Sequence, residues 1–195
     1  RRNKFRLMVR HSKRNRRRVM LGLSDSTAEY FRFKPSINAW IVDGDEIEFK
    51  GMGIDPESLK TGWGKISEGQ APEWQWDERP GVKGPNPGEG YKRGFSVMVY
   101  IKDYGWREWT TTGSGPKMGL EAIWPSIHNG AASNAGKMAM VAFHGAKAVA
   151  IGKGTTRVPE FELKGWNDKP EQAAAPAPVA EPEPQPAPQA EDWEF

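Results

Sequence analysis

Gly94-Phe95-Ser96-Val97-Met98-Val99-Tyr100-Ile101, a Lys102-Asp103-Tyr104-Gly105 connection, and Trp106-Arg107-Glu108-Trp109-Thr110-Thr111-Thr112 form the stretch that decides the fold. Both runs are rich in β-branched and aromatic residues alternating with period two, and the connection ends in Gly, so the stretch reads as a β-hairpin. In its first strand Phe95, Val97, Val99 and Ile101 fall on one face, and Ser96, Met98 and Tyr100 on the other. The first face supplies core; the second is free to carry a ligand.

Working outward, the basic aromatic triplet Tyr91-Lys92-Arg93 leads into this hairpin. Before it, Thr61–Ile66 reads as a short strand with Gly62 and Gly64 on either side of Trp63. Glycine inside a strand marks a bulge or the close approach of a backbone or ligand, which leaves Trp63 open between a core ring and a stacking ring. Residues 68–90 are heavy in Pro and Gly and read as a long irregular loop presenting Trp74 and Trp76. Further upstream, Tyr30–Lys34, Ala39–Val42 and Glu46–Phe49 read as strands, the last two around an Asp43-Gly44-Asp45 turn. Asp43, Asp45, Glu46 and Glu48 lack calcium-loop spacing and are taken as solvated turn charges.

Downstream, Pro116 suits a first helical turn, so Lys117–Trp124 is expected to be a helix shortened by Pro125. Asn129–Gly136 is expected to be a loop. Met138–Phe143, Ala146–Ile151 and Phe161–Trp166 are three further strands, with His144-Gly145 a turn between the first two and Gly152–Arg157 a flexible basic loop.

The 195 residues allow one domain of ordinary size plus something extra. The absence of Cys removes disulfides and thiolate metal sites, and three His make a zinc enzyme a poor fit. No apolar run approaches the ~20 residues of a membrane span, so a soluble protein without membrane partners is expected. The 28 basic and 25 acidic residues are unevenly placed. Residues 1–18 hold 10 Lys/Arg and no acid, and residues 171–195 hold 6 acids and no base. Four segments follow. Residues 1–23 form a basic stretch expected to be disordered: a phosphate-binding arm, a transit peptide, or leader or artefactual sequence ahead of a start at Met20. Residues 24–170 form the folded domain, and 171–190 a Pro/Ala-rich linker. Glu191-Asp192-Trp193-Glu194-Phe195 is a tip suited to a basic, apolar pocket on a partner protein.

No catalytic triad, nucleophile elbow, zinc motif or phosphate loop is present, so neither an enzyme nor a cofactor nor a metal is expected. Rings do lie beside cations. Single-stranded nucleic acid is held by a positive groove and by aromatic planes under its bases. The residues suited to electrostatic capture are Lys65, Lys92, Arg93, Arg107, Lys153 and Arg157; those suited to stacking are Trp63, Trp74, Trp76, Tyr91 and Trp106. Two other classes compete: an adaptor or structural protein acting through its tail, and a metal-dependent nuclease using scattered carboxylates.

The acidic tip ending in Phe195 resembles the tails of single-stranded-DNA-binding proteins of bacteria and tailed phages. The segments Gly62–Ile66, Lys92–Val97, Gly152–Thr155 and Pro159–Trp166 are similar to phage and prophage members of that group. This resemblance implies an OB-fold: a mainly β, five-stranded Greek-key barrel with one short helix between its third and fourth strands, here with extra strands. It also implies a protein that coats single-stranded DNA in the cytoplasm of a bacterial host during replication, recombination or repair. Its tip would recruit partner proteins, and homo-oligomerisation is left open. The Arg-rich start and Trp193 within the tip depart from the usual pattern.

Overall fold

A computed structural model describes residues 30–66 and 72–170. The basic stretch 1–23, the linker 171–190 and the tip 191–195 lie outside the described residues. In chain order the strands are β1 (Tyr30–Lys34), β2 (Ala39–Val42), β3 (Asp45–Ile47), β4 (Gly51–Ile54), β5 (Lys60–Lys65), β6 (Glu73–Trp76), β7 (Lys92–Ile101), β8 (Gly105–Thr111), β9 (Lys137–Ile151) and β10 (Gly154–Asp168). One helix, α1 (Ser114–Ala131), lies between β8 and β9 and runs into a 3-10 turn at Ala132–Asn134.

The alternating hairpin forms as β7 and β8, with Phe95, Val97, Val99 and Ile101 all buried. Asp103 and Gly105 take the left-handed backbone conformations that close its turn. The main sheet order is β10-β9-β4-β7-β8-β1-β2-β3, with β5 paired to the first half of β7 and β6 paired to β5. Every pair is antiparallel except β1 with β8, where Tyr30 lies opposite Glu108 and Phe31 opposite Trp109.

The closed five-stranded barrel expected from the sequence is not formed. β1 takes the edge of β8 that a closing strand would need, and the ten strands make one mixed sheet that is not closed into a barrel. Its ends still share a core. Trp109 of β8 packs edge-on against Phe161 of β10 at 5.8 Å, and Trp40 of β2 against Phe143 of β9 at 5.6 Å.

Four local expectations need correction. The helix extends seven residues beyond Trp124, with Pro125 in its interior. The missing backbone donor and steric clash of an interior proline cost about 3 kcal/mol, which burial of Leu120, Ile123 and Ile127 on the same helix offsets. His144-Gly145 is not a turn. It lies inside β9 where two residues oppose one on β10, a bulge with Gly145 at φ 105°. The loop over residues 68–90 contains a strand, β6, and Thr155–Arg157 of the supposed basic loop are already in β10.

α1 lies along β10 through glycines. A side-chain carbon at Gly119 would stand 2.6 Å from the Pro159 carbonyl oxygen, and one at Gly130 would stand 2.7 Å from the Trp166 ring. Alanine for glycine within a helix ordinarily gains up to about 1 kcal/mol. Here overpacking reverses the sign: Gly119→Ala is expected to cost about 1–3 kcal/mol. Thermal denaturation should show Tm falling by several degrees; an unchanged or raised Tm would contradict this packing.

Candidate nucleic-acid interface

Pairing register assigns each side chain to a face, because directly opposed residues of a ladder share one. Trp76, Gly62 and Gly94 form one row across β6, β5 and β7; Trp74, Gly64 and Lys92 form the next. Lys60, Ser96 and Thr110 follow, then Met98, Glu108 and Tyr30, then Tyr100 and Trp106. These rows make up the outer face. The inner face carries the apolar stripe of β7 and Trp109.

At one end of the outer face the rings of Trp74 and Trp76 stack with centroids 4.4 Å apart and planes 4° from parallel. They lie on a glycine bed. A side-chain carbon at Gly64 or Gly94 would stand 2.7 Å from Trp74, and one at Gly62 would stand 3.0 Å from Trp76. The close approach inferred for Gly62 and Gly64 is therefore made by the protein's own rings. At the other end Tyr100 and Trp106 meet edge to face at 5.7 Å, and the Trp106 indole N–H donates to the Pro170 carbonyl at 3.1 Å. Six residues separate Gly94 from Tyr100, so the two aromatic stations stand about 20 Å apart.

The same register divides the residues expected to bind. Trp74, Trp76, Lys92 and Trp106 share the outer face, whereas Trp63, Lys65, Arg93 and Arg107 project from the inner one. Tyr91, just before β7, sides with Lys65: its hydroxyl donates to Glu73 at 2.9 Å and the Lys65 ammonium stands 5.9 Å from its ring. That bond to Glu73 holds the Tyr91 phenol above its usual pKa. Lys153 and Arg157 are exposed at and near the β9–β10 turn.

The inner group has structural partners. Arg93 makes a bidentate pair with Asp77, Nη1 to Oδ1 at 2.7 Å and Nη2 to Oδ2 at 2.6 Å. Asp77, with its side chain 1% exposed, also accepts from the Thr61 hydroxyl at 2.5 Å and the Gly84 N–H at 3.0 Å. Trp63 donates to the Gly84 carbonyl at 3.0 Å, with Lys83 and Arg93 at 5.3 and 5.4 Å from its ring. Together these bonds fasten residues 77–84 onto β5 and β7. Arg107 pairs with Asp43 at 3.2 Å and donates to the Trp106 carbonyl, so Asp43 is an ion-pair partner and not merely a solvated turn charge.

The outer-face residues missed by sequence reasoning are Tyr30, Arg32, Lys60 and Glu108. Only strand parity and a parallel pairing across the chain bring them beside the hairpin. Arg32 follows Tyr30 on the same side of β1, and Lys60 flanks Ser96. Separately, a cleft of about 1040 Å³ opens between α1 and the inner face, floored by Leu59, Phe95, Leu120 and Trp124 with Lys83 and Lys117 at its rim. Burial holds the Lys117 amine below its ordinary pKa, and its ammonium donates to the Arg93 carbonyl at 2.9 Å. No protein-family model, curated protein or solved structure matches the chain.

The guanidinium of Arg93, helped by the Thr61 and Gly84 bonds, holds the Asp77 carboxyl well below its ordinary value of 3.8. A depressed folded-state pKa gives stability that is present above the unfolded pKa and lost as pH falls toward the folded one. Acid unfolding should therefore show this contribution intact at pH 5 and draining away below about pH 4. Asp77→Asn should be less stable than the parent at pH 7 by about 3 kcal/mol, near the low end for breaking a buried pair because Arg93 keeps some water. The gap should narrow toward pH 2. A gap independent of pH would contradict the assignment.

Proposed function

We propose that the protein binds single-stranded nucleic acid, single-stranded DNA first, without catalysing a reaction on it, and that the strand lies across the outer face of β7 and β8. One observation carries the reading: two partly exposed aromatic stations, Trp74–Trp76 and Tyr100–Trp106, stand about 20 Å apart on one sheet face. Lys60, Lys92 and Arg32 share that face, and none of the three has an ion-pair partner among the described residues. Bases stack on the rings at roughly 1–3 kcal/mol each, and the cations meet phosphates.

The strand order supports a finer reading of the fold. β4 with β5, then β7, β8, β9 and β10, with α1 between β8 and β9, follow the order of a partly open OB-type barrel. Such barrels bind oligonucleotides on the face of strands two and three and through the loops joining strands one to two and four to five. Counted in this way, β7 and β8 are strands two and three, β6 with its two tryptophans belongs to the first loop, and Lys153 with Arg157 belongs to the second. Trp63, Lys65, Tyr91, Arg93 and Arg107 then support the site from the inner side. The proposal keeps the phage-type role of coating DNA in replication or recombination in a bacterial cytoplasm, with Glu191–Phe195 recruiting partners.

Titration with oligo-dT should quench Trp fluorescence, with affinity that falls steeply as salt rises. Replacing Trp74 and Trp76 together by Ala should weaken binding at least tenfold, whereas Trp63→Phe should change it less than threefold. Absence of binding at low salt, or equal losses in the two variants, would overturn the reading. Magnesium-dependent cleavage of the oligonucleotide would replace it with a nuclease.

A further inference from the structure

Glu108 places a carboxylate in the middle of the proposed nucleic-acid face, where stacking and phosphate capture have no use for a negative charge. It lies opposite Met98 on one side and Tyr30 on the other. One of its oxygens, Oε1, accepts hydrogen bonds from the Ser96 hydroxyl and, at 3.1 Å, from the Thr110 hydroxyl. These bonds fix the carboxylate in place. No Lys or Arg neutralises it among the described residues, and Oε2 has no partner there. Trp106 precedes it by two residues on the same face, a separation of about 7 Å.

An ionised carboxylate only accepts hydrogen bonds. It repels a phosphate, so a strand crossing this part of the sheet must turn its bases toward Glu108 and its backbone away. A base resting on the Tyr100–Trp106 pair then brings its polar edge to Oε2. Cytosine offers an exocyclic amino group to a carboxylate, the pairing by which Glu and Asp recognise cytosine in duplex DNA. Uracil and thymine place a carbonyl oxygen at that same ring position, and two acceptors facing each other leave both without a partner.

We propose that Glu108 gives the interface a base preference. It takes the amino group of a base stacked at the Tyr100–Trp106 station, favouring cytosine over uracil and thymine there. Ser96 and Thr110 are positioning residues that hold the carboxylate. This inference rests on the nucleic-acid reading of the same face.

The test compares oligo-dC, oligo-dU and oligo-dT of equal length with the full chain at neutral pH and one salt concentration. The dC and dU strands differ at each base in the amino group against the carbonyl and in the adjacent N3, an acceptor in cytosine and a donor in uracil; dT controls for the methyl group. The parent protein should bind oligo-dC about tenfold more tightly than oligo-dU, the scale of one good base contact. Glu108→Gln keeps an acceptor oxygen for the two hydroxyls but adds a donor that can meet a carbonyl. It should bring the dC to dU ratio to within about twofold while raising affinity for all three strands through loss of a negative charge. Measurable binding with a parental ratio near one overturns this inference and leaves the nucleic-acid reading standing. Binding of none of the three strands overturns both. A tenfold ratio that survives in Glu108→Gln assigns the preference elsewhere and overturns the role of Glu108.

Discussion

Trp109 is the ring on which this architecture closes. It has no exposed surface and packs against Phe31 of β1, Trp40 of β2, Phe95 of β7 and Phe161 of β10, at centroid distances of 6.3, 5.5, 4.9 and 5.8 Å. The sheet is open in its backbone hydrogen bonds, so side-chain packing holds its two ends over one core. Aromatic pairs of this kind add about 0.5–1.5 kcal/mol each beyond the area they bury. With Trp109 fixed inward, the pleat turns Trp106 out along with Glu108 and Thr110, and the chemistry of the outer face follows from that parity.

The outer face depends equally on what is missing from it. Gly62, Gly64 and Gly94 have no side chains where Trp74 and Trp76 lie, and this lets β6 lay its two rings flat against β5 and β7. A single β-carbon at Gly64 or Gly94 would occupy the space of the Trp74 ring. On the reverse side Asp77 gathers Arg93, Thr61 and Gly84 and so fixes the approach to β7. The strand that carries the rings is thus held from both faces: glycine makes room on one, and a buried ion pair anchors the other.

The hairpin was legible because its evidence is local: two alternating runs and a turn containing glycine. The β1 and β2 segments were legible for the same reason, whereas β9 reads from sequence as two strands around His144-Gly145 and is one strand with a bulge there. Closure was not. It is decided by the parallel pairing of Tyr30–Phe31 with Glu108–Trp109, which no local pattern announces. Pro125 misled because helix propensity is weaker than burial of Ile123 and Ile127 on either side of it. At the site, sequence proximity grouped Lys92 with Arg93 and Trp106 with Arg107, although adjacent strand residues face opposite ways. Parity would have separated Arg93 from Lys92 and paired Trp74 with Trp76. Tyr30 and Lys60 carry no local signature and become visible only through register.

In the proposed mode of binding the outer face, and not the inner group around Trp63, meets nucleic acid. The chain has nine tryptophans, whose indole N–H signals serve as separate reporters. Their chemical shifts, followed by NMR as a single-stranded oligonucleotide is added, test that claim most directly. The signals of Trp74, Trp76 and Trp106 should move progressively, while those of the buried Trp40 and Trp109 stay fixed and that of Trp63 moves less. Movement centred on Trp63 with Trp74, Trp76 and Trp106 unchanged would contradict the account.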